Sequence, residues 1–175
     1  IRNAYSIYGN AWEAEINLAQ GLLLEARGQY PKALDTYRRS ETFRRASIQD
    51  VSKYEYPIPQ DRVRNIANQT LLNSAHVLMK QGALSEAEVL ARRALLESLS
   101  IYGKYHPLIP PFILGLAEII LEEGRVEEAE SLTRAAFEIF QQIGVSDSEP
   151  QTIAVKAQLA NILILQSKNE EALEL

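Results

Sequence analysis

Gly124-Arg125-Val126-Glu127-Glu128-Ala129-Glu130 is the stretch on which the fold turns. It has the form Gly-x-Φ-x-x-Ala, in which a glycine ends one helix and turns the chain, and a small residue then opens a second helix that can approach the first closely. The form recurs outward along the chain. Gly28-Gln29-Tyr30-Pro31-Lys32-Ala33-Leu34 and Gly82-Ala83-Leu84-Ser85-Glu86-Ala87-Glu88 repeat it, and Ser167-Lys168-Asn169-Glu170-Glu171-Ala172-Leu173 repeats it most loosely. The alanines at 33, 87, 129 and 172 are spaced by 54, 42 and 43 residues, so the first interval carries an insertion of about a dozen. Twelve residues before each alanine stands a small residue (Gly21, Ala75, Ala117, Ala160), and nine before it an aliphatic one (Leu24, Leu78, Ile120, Leu163). The repeating unit is therefore a helical hairpin.

The 3.6-residue apolar period predicts helices over about 10–27, 31–50, 61–81, 85–102, 108–123, 126–142, 151–166 and from 169 onward. They pair into four hairpins, 10–50, 61–102, 108–142 and 151–175, of a single repeat domain, the last cut short. The chain reads as an excerpt of something longer. The stretches 54–61, 103–107 and 144–150 hold turn residues and prolines between hairpins, and Ser146 to Ser148 are candidate N-terminal caps.

Composition narrows the function. With 175 residues, 46% of them apolar and 23% charged, the chain can bury a core and is not disordered throughout. A net charge of −5 disfavours a nucleic-acid partner, which needs concentrated positive charge. Acidity is concentrated in residues 65–175, which hold 15 Asp/Glu against 8 Lys/Arg. No apolar run approaches the roughly 18 residues that would span a bilayer, so no membrane insertion is expected. Zero cysteines remove disulfides, thiolate metal sites and cysteine nucleophiles, but separate no compartments; the working expectation is a cytoplasmic protein.

The motifs Tyr102-Gly103-Lys104-Tyr105-His106-Pro107, Leu114-Gly115-Leu116-Ala117 and Gly124-Arg125-Val126-Glu127-Glu128-Ala129-Glu130 resemble the linker, first helix and hairpin turn of the tetratricopeptide repeat (TPR). The variant they resemble is the 42-residue one of kinesin light chains, which is similar to that of bacterial proteins carrying a caspase-like CHAT protease domain. The resemblance covers residues 65–175 and, less closely, 10–50; Ser47 to Asp61 has no counterpart in an ideal repeat. It implies an all-α, right-handed superhelix of antiparallel hairpins, a TPR-like α-solenoid. The first helix of each pair would line a concave face that holds a peptide or a partner helix. In the subset that binds chaperone tails, that face carries a basic, Asn-rich clamp, whereas here the corresponding positions include Leu18, Leu22, Leu72 and His76.

No catalytic machinery is legible. His76 and His106 have no second histidine at the spacing of a zinc helix, and no phosphate loop or nucleophile elbow occurs. No metal or other cofactor is expected. His106, before Pro107, reads as a linker residue. The acid pairs Glu122-Glu123, Glu127-Glu128 and Glu170-Glu171 sit on or beside helix ends as surface residues. Arg38-Arg39, Arg44-Arg45 and Arg92-Arg93 read as a solvated outer face of second helices; the alternative joins the first two pairs with Arg62 and Arg64 in a local basic patch.

In the repeat register the concave surface takes Glu15, Leu18, Leu22 and Glu25, then Gln69, Asn73, His76 and Lys80, then Leu114 and Glu118, then Ala157, Gln158 and Asn161. Gln69, Asn73, His76, Lys80, Glu118, Gln158 and Asn161 are the expected partner-binding residues, since amides both donate to and accept from a peptide backbone. Each could equally be an ordinary solvated position. The expectation is a non-catalytic scaffold for a protein or peptide ligand. A second reading makes the segment the regulatory or sensor part of a longer enzyme, such as a CHAT-type protease. A third makes it a spacer that self-associates through repeat ends, around Leu173 and Leu175.

Overall fold

A computed structural model describes residues 2–50 and 60–175, and within them all side chains except those of 2–9, 11, 12, 48–50, 60 and 62. Among the described residues the regular elements are eight helices and no strands. They are α1 (Arg2–Ala26), α2 (Tyr30–Asp50), α3 (Gln60–Lys80), α4 (Leu84–Tyr102), α5 (Ile109–Glu122), α6 (Val126–Gln142), α7 (Pro150–Leu165) and α8 (Asn169–Leu173). Helix α1 begins at Arg2, well before the position near residue 10 that the apolar period suggested. The turn expected at 54–59 lies outside the described residues, while Gln60 and Asp61 already belong to α3.

One local motif makes all four hairpins. At the end of α1, Gln29 N donates to Leu24 O and Gly28 N to Glu25 O, both at 2.9 Å. The same two bonds close α3 (Ala83 N to Leu78 O, Gly82 N to Met79 O), α5 (Arg125 N to Ile120 O, Gly124 N to Leu121 O) and α7 (Lys168 N to Leu163 O, Ser167 N to Ile164 O). This pairing satisfies the last carbonyls of a helix and requires a left-handed residue after it. Gly28, Gly82 and Gly124 supply that residue with φ of +70°, +78° and +80°; the fourth turn holds Ser167 at +63°. The aliphatic residues nine before each alanine are thus the acceptors of the turn; Leu78, Ile120 and Leu163 are core residues as well, and Leu24 is half-buried. Ala33, Ala87, Ala129 and Ala172 then donate to Gln29, Ala83, Arg125 and Lys168, starting the second helices.

The chain divides into two compact units, Ile1–Ala94 and Leu95–Leu175, with the boundary inside α4. In the first unit α1 packs on α2 and α2 on α3. Small residues mark the contact of α1 with α2: Ser40 Oγ donates to Ala14 O at 2.7 Å, and the ring of Tyr37, fully buried, packs against Gly21. A Cβ at Gly21 would fall 2.5 Å from Tyr37 Cδ1, and closer still to Cε1. In the register of the repeat Tyr37 corresponds to Ala91 and Thr133, whose hairpins carry Ala75 and Ala117 where the first carries Gly21; all four are fully buried. Ring and glycine in one hairpin stand where the others have two small side chains, and the missing Cβ of Gly21 gives the ring its room.

In the second unit α5 packs on α6, α6 on α7, and α7 on α8. Pro110 and Pro111 lie in the first turn of α5, where their missing N–H groups cost nothing. Ile109, Ile139, Phe140 and Val155 form a core flanked by Leu95, Leu99 and Tyr102. The turn before α5 is closed by His106, which stacks on Tyr102 at 4.4 Å between centroids and accepts from Leu108 N through Nδ1 at 3.2 Å. Ser146 and Ser148 do not cap α7: the N-cap is Glu149, which has no side-chain cap bond, and Ser146 Oγ instead accepts from Ser148 N within the preceding turn. Leu173 is 88% exposed and Leu175 36%.

Candidate partner-binding faces of the first helices

Gln69, Asn73, His76 and Lys80 recur along α3 at spacings of three and four, so they share one stripe of that helix. Gln69 and Lys80 are exposed, and Asn73 is half-buried. His76 is also half-buried, with its Nε2 shielded from solvent. Leu72, which the register also placed on the concave side, is buried in the core, because its side chain follows the stripe of Leu71 and Ala75 and not that of Asn73.

Lys80 is committed to a structural chain. Its Nζ donates to Glu25 Oε1 at 2.7 Å, and Glu25 Oε2 accepts from the Tyr37 hydroxyl at 2.7 Å. Three helices meet at one carboxylate. Burial, then the hydrogen bond to Glu25 and its negative charge, push the Tyr37 hydroxyl well above its ordinary pKa, so it stays a donor at any physiological pH. One turn before Glu25 on α1, Leu22 is 50% exposed, and Leu18 beside it is half-buried. The first unit thus offers amides and a half-exposed leucine on neighbouring first helices, with the Glu25–Lys80 pair fixing α1 against α3.

The second unit repeats the arrangement. Glu118 on α5 and Asn161 on α7 are exposed, at the register position that His76 and Leu22 occupy in the first unit. Gln158 is half-buried, and its Nε2 donates to Leu114 O at 3.3 Å, so this amide ties α7 to α5. Ala157 is exposed. Of the seven expected residues, Gln69, Lys80, Glu118 and Asn161 are exposed and Asn73, His76 and Gln158 half-buried, with Lys80 and Gln158 engaged in bridges to other helices.

The second helices differ from the expected solvated face at one place. Arg44 is 4% exposed and pairs with Glu15 of α1 at 2.9 Å; Arg38, Arg39 and Arg93 do reach solvent. Position 44 lies on the same stripe as Tyr37 and Ser40, the residues that face α1, so its guanidinium cannot be on the outer side. The side chain of Arg62 lies outside the described residues, and Arg64 is exposed. Around α6, Glu130 is clamped by Arg134 at 2.8 Å and Lys168 at 2.9 Å, and Arg134 also reaches Glu171. The Lys168 bond first, and the Arg134 bond next, hold the Glu130 carboxyl down at about 2.

Two features escaped the sequence. One is the Tyr37–Glu25–Lys80 chain, whose members lie too far apart in sequence for any helical spacing to link them. The other is a cleft of about 530 Å³ in the first unit, walled by α2 and α4 and floored by α3. Its signal was present: an arginine stands five residues after Ala33, Ala87 and Ala129, and an acid one residue before Ala87, Ala129 and Ala172. Among the described residues no cluster of His, Asp or Glu has the makings of a metal site, and no helix is long and apolar enough to cross a membrane.

No protein-family model and no curated protein matches the sequence. Solved structures do match in fold. BtubC (BKLC) from P. vanneervenii superposes with a TM-score of 0.60 at 15% identity, covering 95% of this chain and 69% of its own. A Rap protein complexed with Competence and Sporulation Factor gives 0.56 at 15% identity, covering 93% and 51%. A putative kinesin light chain with TPR-like repeats from Podosopora anserina gives 0.54 at 15% identity, covering 91% and 89%. The fold is that of the TPR-like helical-repeat solenoids, as the hairpin motifs implied.

Proposed function

We propose that the protein is a non-catalytic interaction scaffold that takes an extended peptide or a partner helix on the first-helix faces of its units. The observation that carries this reading is the pairing, in the first unit, of half-exposed Leu22 on α1 with the amides of exposed Gln69 and half-buried Asn73 on α3. An apolar contact beside groups that both donate and accept suits a polypeptide backbone with one anchoring side chain. The Glu25–Lys80 pair holds the two helices in place, so little ordering cost falls on binding. A protein of this fold has been crystallised with a bound factor, which supports the use of such repeats as receptors. The alternative, a regulatory segment of a longer enzyme such as a CHAT-type protease, keeps the same faces and places the chemistry elsewhere.

Peptides selected on the protein by display provide the test. Replacing Gln69 and Asn73, or Glu118 and Asn161, by alanine should weaken the selected peptides at least tenfold. Each exposed substitution should alter stability by no more than about 0.5 kcal/mol. Arg38→Ala with Arg39→Ala is the control on the second helices. Loss of the peptides in the control alone refutes the first-helix reading. Lys80 and His76 are unsuitable for this test, since removing them perturbs the fold as well.

A further inference from the structure

The cleft in the first unit lies away from the faces described above. Its floor is Leu71, Ser74 and Leu78 of α3, and Leu90 and Val89 extend it up the α4 wall, with Val89 66% exposed. Arg38 and Glu41 stand on the α2 wall, and Ser85, Glu86 and Arg93 on the α4 wall. At one end the charges are already matched: Glu41 pairs with Arg45 at 2.6 Å and with Arg93 at 3.2 Å. Arg38 and Glu86 differ. Both are exposed, and among the described residues neither side chain has an ion pair or hydrogen bond.

The second unit shows what these positions do when the second helices are bridged. Arg134 stands five residues after its alanine, as Arg38 does, and Glu171 stands one residue before its alanine, as Glu86 does. Arg134 and Glu171 form an ion pair from α6 to α8. The corresponding bridge from α2 to α4 is unmade, and the cleft, whose floor is buried and whose exposed apolar surface is Val89 with half-buried Leu90, runs between a cation on one wall and an anion on the other.

We propose that this cleft is a second docking site, and that its occupant is an amphipathic helix of another protein. The helix lays a leucine-like side chain against Val89 and Leu90, above the buried Leu71 and Leu78, presents a carboxylate to Arg38, and presents a cation to Glu86. The walls are side-chain surfaces of helices whose backbone groups are paired internally, so an extended strand would find no edge to add to. A helix brings its own backbone satisfied. It also sets acid and base on the two flanks of an apolar stripe through spacings of three and four, which matches opposite charges on opposite walls.

The test uses blocked, fluorescein-labelled helical peptides with one leucine stripe. One carries Glu along one flank and Lys along the other, a second Glu on both flanks, a third Lys on both; a fourth is the mixed peptide with the stripe changed to alanine. Anisotropy gives affinity, and methyl spectra report the site. The mixed peptide should saturate and shift the methyls of Leu71, Leu78, Val89 and Leu90, and the alanine version should not. It should exceed the single-sign peptides by roughly fivefold, the scale of exposed ion pairs.

Arg38→Glu makes both walls acidic and should move the preference to the Lys-flanked peptide. Glu86→Lys makes both basic and should move it to the Glu-flanked one. Gln69→Ala with Asn73→Ala should change neither result, so failure here is distinct from failure at the first-helix face. The proposal is overturned if the mixed peptide gives no saturable shifts in the cleft, or if both charge variants, folded by circular dichroism, keep the wild-type ranking. It is also overturned if the same methyls shift with protein concentration alone, which would make a second copy of the chain the occupant.

Discussion

Gly21→Ala places a methyl group where the Tyr37 ring already lies. The new Cβ would sit 2.5 Å from Cδ1, inside any tolerable carbon–carbon contact, and 3.1 Å from Cζ, a tight one. The ring cannot slide easily, because its hydroxyl is held 2.7 Å from Glu25 Oε2 and that carboxylate is held in turn by Lys80. Overpacking of this kind costs about 2 kcal/mol. Weakening the bond from Tyr37 to a charged acceptor adds about 1.5 kcal/mol. Alanine returns about 1 kcal/mol through its better helix propensity. The expected net loss is about 2.5 kcal/mol, read as roughly seventyfold faster hydrogen exchange of the slowest amides in α1 and α2. Tyr37→Leu in the Gly21→Ala background frees the space, and the double-mutant cycle should show a coupling of at least about 1 kcal/mol. A Gly21→Ala protein more stable than the parent by the bare propensity difference would refute the packing of Tyr37 over Gly21.

Ser167 occupies the left-handed position that glycine fills in the other three hairpin turns, at φ +63°. Ser167→Gly should therefore raise the thermal midpoint, by an amount equivalent to about 1 kcal/mol, and a lowered midpoint would contradict the assigned turn. Glu130 is held at about 2 by Lys168 and Arg134. A carboxyl whose pKa is depressed on folding stabilises above its unfolded value, and that stability is lost as pH falls from about 4.5 toward 2. Arg134 and Lys168 are 43% and 45% exposed, so screening reduces the contribution to about 1 kcal/mol. Urea midpoints of the parent and Glu130→Gln should differ by that amount at pH 6 and converge near pH 2; a difference that persists in acid would contradict the clamp.

The hairpins were legible because their signals are local. A glycine at the turn, an aliphatic residue nine before each alanine and the alanine itself lie within one helical repeat, and each has a specific hydrogen-bonding or packing task there. The start of α1 was missed although Ala4, Tyr5 and Tyr8 already recur at helical spacing, because Gly9, a poor helix former, interrupts the pattern there. The candidate faces were legible only in part. Periodicity placed Gln69, Asn73, His76 and Lys80 on one stripe, but it could not tell an outward amide from a lysine captured by Glu25 of another helix. Arg44 was misread for a related reason: a charged residue on a second helix is ordinarily solvated, and only its place beside Ser40 and Tyr37 turns it toward α1. The Arg134–Glu171 pair between successive second helices had a sequence trace, an arginine five residues after Ala33, Ala87 and Ala129, that becomes meaningful once the helices are seen side by side.

The central claim, that the first-helix faces receive a polypeptide, is tested most directly by hydrogen exchange of the protein with and without a display-selected peptide bound. Slowed exchange should map to α1 around Leu22 and α3 from Gln69 to Asn73, or to α5 and α7 around Glu118 and Asn161, and it should vanish in the corresponding alanine variants. Protection confined to α2, α4 or α6 for every selected peptide would contradict it.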